Sequence, residues 1–319
     1  MITWTIRTEK KEIEIQLGKT TLFLGEHESW YYIIRDIEQF FTNKNSNIEI
    51  YEDTQLLTPK DWEVLWIPYD AHLQLDKILA KSPLMPVMNN ILQFLEYSPF
   101  YQNIVEGFEE LKEEQVIINQ LIQNYDLQVE LRDFTLNDMK GFIQLNTCAE
   151  KSSPVDTKQL LLNLFSEKVR ERKTLILIEL PELFANFNQL IKFRDKLLHL
   201  NSQGVMVIIL TNHTIFQGQK NYMINEQIIN DILFQKLFKE IKSIAPFVFD
   251  KLEYNKAVDY IKMIVDNYPH SLQNQNEIDC YPQDIATLIL MIKQRVIPSF
   301  KIVEPKFPIN IQNFLKANS

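Results

Sequence analysis

The sequence predicts an α/β domain interrupted by an all-helical insertion, and three observations lead there. Residues 20–41, TTLFLGEHESWYYIIRDIEQFF, read as a buried strand (Thr21–Leu24), a tight loop (Gly25–Ser29) and a helix (Tyr31–Phe41). Residues 174–210 read as strand, helix, strand, a βαβ unit whose two strands are expected to be parallel and joined by a right-handed crossover. Between about 73 and 172 the apolar spacing changes from period 2 to period 3.6. The expected division is therefore an α/β domain over 1–70 and 173–250, a helical insertion over 71–172, and a helical C-terminal extension over 251–319.

The elements follow in order. Trp4–Arg7 and Glu12–Ile15 alternate polar and apolar residues, the pattern of a half-covered antiparallel edge. Leu22–Leu24 is continuously apolar, as a central strand is. Ile48–Tyr51 and Val64–Ile67 are two further strands, the second stopped by Pro68. Leu84, Val87, Met88, Ile91, Leu92 and Leu95 then form one helical stripe. Ser98 and Pro99 start a helix as N-cap and first residue. It is expected to run to about Asn124, with Ile104, Phe108, Leu111, Ile118, Leu121 and Ile122 inward and a glutamate-rich face outward. Thr135–Asp138 opens a short helix in capping-box fashion. Ser153-Pro154 opens another that ends in EKVRERK. Helices this amphipathic must bury their stripes on each other or on a partner chain.

Thr174–Ile178 is a buried strand with Glu179 at its end. Phe187–Leu200 is a helix, closed by Gly204, and Val205–Leu210 is the next buried strand. A polar connection, a helix near Glu226–Ile241 and a strand near Pro246–Phe249 are expected next. Two helical stripes follow (Val258, Ile261, Ile264, Val265; then Ile285, Leu288, Ile289, Ile292), before an irregular tail spaced by Pro298, Pro305 and Pro308.

Composition narrows the function classes. Only 6 glycines occur in 319 residues, against about 22 at the average frequency, which argues against a glycine-rich cofactor loop. Cys148 and Cys280 form no CxxC pair, as expected of free thiols in a reducing compartment. There is no N-terminal apolar stretch of the signal-peptide kind and no run of about 18 apolar residues, so a cytoplasmic protein without a membrane span is expected. Net charge is −9, distributed as −6 over 1–70, −7 over 71–150, +3 over 151–250 and +1 over 251–319. Bulk charge does not favour nucleic acid, and a local basic face is left as the one open route to it.

The strand–loop–helix at 20–41 has the layout of a phosphate-binding loop without its residues. Such a loop needs G-x-x-x-x-G-K-[ST], so that backbone N–H groups, a lysine and a hydroxyl meet the phosphates and Mg²⁺. Here there is one glycine, no lysine, and the acids Glu26 and Glu28, which would repel a triphosphate. Glu179 after a buried strand matches the acid that holds Mg²⁺ in nucleotide hydrolases, and it equally matches a loop-capping acid. The five histidines show no metal spacing, and there is no G-x-S-x-G. Asp126, Glu130, Asp133 and Asp138 lie in YDLQVELRDFTLND, either a hard-cation site or a solvated acidic loop, without the register of an EF-hand. Lys168, Arg170, Arg172 and Lys173 close a helix, where the dipole favours cations, or form a phosphate-contacting surface. Lys192, Arg194 and Lys196 are a second basic group. No base-reading signature accompanies them.

The segments IEIQLGKTTLFLGEHESWYYIIRDIEQFF, FEELKEEQVIINQLIQNYDLQVELRDFTLNDMKGFIQL and KTLILIELPELFANFNQLIKFRDKLLHLNSQGVMVIILT, in this succession, resemble the type II-A CRISPR-associated adaptation protein, the Csn-two family. The resemblance covers about residues 12–250, and residues 251–319 resemble the extension of its long members. It implies a P-loop-NTPase-like α/β head with a degenerate nucleotide site and a helical leg. It further implies no enzymatic activity, a homotetrameric ring, Ca²⁺ between subunits, and binding of double-stranded DNA ends during spacer acquisition beside the integrase and the effector nuclease. By position it makes Asp126, Glu130, Asp133 and Asp138 the Ca²⁺ candidates. Charge alone makes Lys168, Arg170, Arg172, Lys173, Lys192, Arg194 and Lys196 the DNA candidates. A P-loop-like NTPase and a scaffold that docks other CRISPR-associated proteins are the alternative readings.

Overall fold

The computed structural model describes residues 2–73, 84–125, 127–143, 145, 153–166, 172–266, 276–278, 281–303 and 305–317. The chain forms two compact units, 1–69 with 170–319, and 70–169.

The first unit is mixed α/β. Strands β1 (Ile2–Arg7) and β2 (Glu12–Leu17) pair antiparallel, Trp4 and Ile6 pointing inward and Thr5 and Arg7 outward as period 2 requires. Strand β3 (Thr20–Gly25) leads into helix α1 (His27–Thr42), followed by β4 (Glu49–Glu52), β5 (Gln55–Leu56) and β6 (Trp62–Ile67). β2-β1-β4-β5 is a small antiparallel sheet. After the second unit come β7 (Lys173–Glu179), α7 (Phe187–Ser202), β8 (Met206–Leu210), β9 (Gln219–Ile224), β10 (Gln227–Ile229) and α8 (Asp231–Ile244). The main sheet has the order β10-β9-β3-β8-β7-β6; all neighbours from β9 to β6 are parallel, and β10 is an antiparallel edge. Gly204 ends α7 in a left-handed conformation (φ +86°).

Each face of the main sheet has its own core. On one face α1 lies between the two sheets: Trp30, Ile33, Ile34, Ile37, Phe40 and Phe41 meet Trp4, Ile6 and Ile15 on one side and Phe23, Leu175 and Leu177 on the other. Trp30 stacks on Phe23 at 4.0 Å and 11°. On the opposite face, Tyr222 and Ile224 of β9 join α8 and the C-terminal helices α9 (Lys251–Asp266), α10 (Gln283–Val296) and α11 (Ile309–Ala317). A two-residue parallel pair, β11 (Asn276–Glu277) and β12 (Ile302–Val303), links the connections. Residues 285–292 of α10 are buried on every side, the mark of a helix wrapped by others.

Two expectations change here. The region after Thr211 contains the β9–β10 hairpin rather than only a polar connection, and the helix begins at Asp231 rather than near Glu226. Asn230 caps it, its side chain accepting from the Leu233 N–H at 3.1 Å. Residues 246–249 form no strand. Pro246 lacks a ladder donor, and Phe249 instead packs against Phe238 and Tyr254.

In the second unit the described elements are helical: α2 (Met85–Glu96), α3 (Pro99–Glu113), α4 (Gln115–Ile122), α5 (Leu136–Met139) and α6 (Pro154–Ser166). The long helix expected over 98–124 breaks at Glu114 into α3 and α4. Ser98 caps α3, and Asp138 accepts from the Thr135 backbone N–H at 2.8 Å, as the capping pattern predicts. Asn119 holds segment 127–131 by bonding both the N–H and the carbonyl of Val129. The stripe read as inward on α3 and α4 is only part-covered: Phe134 stacks on Phe108 at 4.4 Å, while Ile104, Leu111 and Leu121 stay exposed. Among the described residues no helix is long and apolar enough to cross a membrane.

If the C-terminal helices are part of the first unit's core, Ile289→Ala should cost that whole unit about 2–5 kcal/mol. Urea unfolding followed by tryptophan fluorescence, which reports Trp30 and Trp62, checks this. An unchanged tryptophan transition would mean that α10 folds apart from the sheet.

Candidate functional site

The sheet's carboxyl edge begins with the β3–α1 junction. Only Glu26 stands between β3 and α1, so the helix starts one turn earlier than the expected Tyr31. The cause is Trp30, whose indole N–H donates to the Leu24 carbonyl at 2.7 Å while its ring stacks on Phe23. This draws the first turn onto the strand. Gly25 has φ +91°, and a Cβ there would stand 2.3 Å from the Met223 carbonyl oxygen, so only glycine fits. Two backbone donors of the junction are taken: Gly25 N–H bonds Asn212 Oδ1 at 2.9 Å, and Glu26 N–H bonds the Met223 carbonyl at 3.0 Å. The Glu26 carboxylate in turn accepts the N–H of Asn225 (2.6 Å) and of Glu226 (3.4 Å). Both turn residues have positive φ (50° and 62°), as a two-residue hairpin requires. Two N–H groups that a phosphate loop would present to a ligand are here bonded within the chain, Gly25 to the Asn212 side chain and Glu26 to the Met223 backbone. Glu28 is exposed in the first turn, where the helix dipole favours it.

Glu179 closes β7 and is fully buried. Its Oε1 accepts from Trp66 Nε1 at 3.1 Å and its Oε2 from the Tyr69 N–H at 3.1 Å. Arg35 Nε lies 3.4 Å from Oε1, an ion-pair distance outside hydrogen-bond geometry. The Arg35 guanidinium stacks over the Trp66 ring at 3.9 Å and donates to the Tyr31 hydroxyl at 2.7 Å. Glu179 therefore ties the ends of β6 and β7 to α1 and caps the loop after β6.

Of the basic candidates, Lys168 and Arg170 lie outside the described residues. Arg172 and Lys173 are exposed at the amino end of β7, and Lys173 Nζ lies 5.3 Å from the Trp62 ring centroid. Lys192 and Lys196, four residues apart, share one face of α7. Arg194 is on another face, paired with Asp195 at 2.7 Å.

The acid candidates are held singly. Asp126 lies outside the described residues, and Glu130 is exposed. Asp133 pairs with Lys112, which also bonds Glu109 at 2.8 Å; these hydrogen bonds, with Asp133 first, raise the Lys112 ammonium above its ordinary pKa. Asp138 accepts from the Thr135 hydroxyl and N–H, both at 2.8 Å, and pairs with Arg132; the Thr135 bonds first, then Arg132, hold its carboxyl below the usual range. Among the described residues no three His, Cys, Asp or Glu gather as a metal site.

Sequence reasoning missed the partners that close the junction: Asn212, the Asn225–Glu226 turn, and the Arg35–Trp66 pair beneath Glu179. Asn225 is the one with a local signal, since asparagine tolerates positive φ; glutamate at the next position hides it.

No family model and no curated protein matches the sequence. Among solved structures, Stu0660 of Streptococcus thermophilus matches at TM-score 0.52 and 14% identity, over 98% of this chain and 99% of that one, and shares its fold. CbiO1 from Clostridium perfringens, part of the ABC transporter complex cbiONQ, matches at TM-score 0.35 and 12% identity, over 77% of this chain and 95% of that one. MJ1267, an ATP-binding cassette of an ABC transporter in its ADP conformation, matches at TM-score 0.36 and 12% identity, over 72% and 89%.

If Glu179 is a brace, Glu179→Ala should cost about 2–4 kcal/mol, because it leaves the Trp66 and Tyr69 donors unmet in the interior. Chemical denaturation measures this. A fully stable variant would mean that the carboxylate is held for another task.

Proposed function

We propose that this chain is a non-enzymatic, sequence-independent binder of double-stranded DNA ends, acting as a homotetrameric ring in CRISPR spacer acquisition in the cytoplasm. The integrase and the effector nuclease are its expected partners. The observation that carries this reading is the closed β3–α1 junction. The first unit keeps what we read as a P-loop-NTPase-like frame, with β3 central and Glu179 at the end of β7, yet Gly25 and Glu26 bond to Asn212, Met223 and the 225–226 turn. A frame whose loop bonds Gly25 and Glu26 within the chain, and which carries the acids Glu26 and Glu28 where a lysine would be needed, supports a structural head rather than a nucleotide engine. The other support is the resemblance to the Csn-two family.

In this reading DNA is held through its phosphates. Lys192 and Lys196 on one face of α7, with Arg172 and Lys173, and Lys168 and Arg170 beside them in sequence, supply charge without base readout. A chain of net charge −9 needs an assembly that gathers these faces around one opening. Ca²⁺ enters as a matter of assembly: Asp126, Glu130, Asp133 and Asp138 would take a shared ion only with ligands from a second copy.

Gel shifts with linear and circular duplex of equal length, with and without Ca²⁺, test the reading. Linear DNA should bind at least about tenfold more tightly, with a steep loss on adding salt, and equal binding to both forms would reject end recognition. The double variant Lys192→Glu/Lys196→Glu should lower the log–log salt slope by about 1 per lost contact without changing assembly. Light scattering should give a tetramer that tightens with Ca²⁺, and a monomer in both conditions would reject the ring. The NTPase reading, which the sheet layout favours, requires Mg-ATP to raise the melting temperature; no shift removes it.

A further inference from the structure

On the face of the main sheet opposite α1 there is a cavity of about 440 Å³. It lies between the 211–218 connection, strands β3 and β9, and the carboxyl end of α9. Its origin is topological. β3 continues through α1 over one face, whereas its neighbour β8 continues over the other face to β9. Adjacent strands whose connections depart in opposite directions leave a crevice near their carboxyl ends, where open α/β sheets take ligands. The connection presses onto the sheet at Gly218, where a Cβ would stand 2.4 Å from the Thr20 carbonyl oxygen.

The walls are apolar at Leu22, Leu24, Phe216 and Val265. Two polar groups stand out. The Tyr222 hydroxyl belongs to a side chain only 7% exposed and has no hydrogen-bond partner among the described residues. Lys220 Nζ bonds Asp266 at 2.8 Å, which uses one of its three N–H groups. A second cavity of about 220 Å³ shares Lys220, Tyr222, Val265 and Asp266, so these residues line both spaces. A buried hydroxyl without a partner is costly to keep, and the volume is in the range of small-molecule sites; Asn212, His213, Thr214 and Gln217 add further polar groups to the wall beside the apolar side chains.

We propose that this cavity binds a small amphipathic carboxylate. The acid head accepts from the Tyr222 hydroxyl and the free N–H groups of Lys220, and the apolar body lies against Leu22, Leu24, Phe216 and Val265. Both polar groups act as donors, so the ligand supplies acceptors. Asp266 offsets part of the Lys220 charge, which suits a monoanion better than a phosphate dianion. A cationic head meets Lys220 and is disfavoured. The site is independent of DNA binding.

The full chain is titrated with octanoate, octylamine, octanol and inorganic phosphate, followed by thermal unfolding and calorimetry. Octanoate should give a saturable calorimetric isotherm and raise the melting temperature by about 2–4 °C at ten times its dissociation constant, the shift growing with the logarithm of its concentration. Octylamine and phosphate should not, and octanol should bind at least tenfold more weakly. Tyr222→Phe should unfold no lower than the parent without ligand and lose at least tenfold in octanoate affinity; Lys220→Met should lose as much. If Lys220→Met does not fold, Tyr222→Phe decides. Calorimetric heats that do not saturate at one site, or a melting shift that octylamine reproduces or that survives intact in Tyr222→Phe, overturn the proposal.

Discussion

Gly25 and Glu26 hold three parts of the first unit together. The left-handed Gly25 brings the backbone against Met223, its N–H and carbonyl meet the Asn212 side chain, and the Glu26 carboxylate takes the two amides of the 225–226 turn. The start of α1, the end of β8 and the β9–β10 hairpin therefore share one set of hydrogen bonds. Each bond is worth about 1 kcal/mol net. The left-handed turn at Asn225 and Glu226 is supported by the carboxylate that its amides meet.

From that junction the two faces of the main sheet diverge. Alternation along β3 sends Phe23 toward α1 and Leu22 and Leu24 toward the other face. The α1 face is closed by a second sheet and by Trp4, Trp30 and Trp62. The opposite face, at β9, is closed by helices that come last in the chain. Helices α9, α10 and α11 therefore belong to the core of the first unit, and α10 is buried on every side because α8, α9 and α11 all pack in the same core.

The helical unit shows a different balance. Asp133 and Asp138 each have a neighbouring cation, Lys112 and Arg132. Its apolar stripe on α3 and α4 remains partly open, with Phe134 the main cover for Phe108. Breaking the long helix at Glu114 lets Gln115 and Asn119 hold the 127–131 segment through Leu131 and Val129.

What the sequence determined by itself was the set of local choices. Period-2 and continuously apolar runs located β1–β4 and β6–β8, capping residues located the starts of α3 and α5, Gly204 the end of α7, and the pattern change at about 73 located the helical stretch. These signals depend on neighbours within a few residues, so one chain read alone contains them. Tertiary structure decided what depends on distant partners. Trp30, by docking on Phe23 and Leu24, moved the start of α1 to His27. Burial of Phe249 replaced the strand expected at 246–249, and Glu26, nearly 200 residues away in sequence, closed the hairpin turn at 225–226. The role of Glu179 was open between two readings until Trp66, Tyr69 and Arg35 surrounded it. In each case the deciding bond or contact joins residues that no local window contains, and its energy outweighs the small differences in local propensity that a sequence expresses.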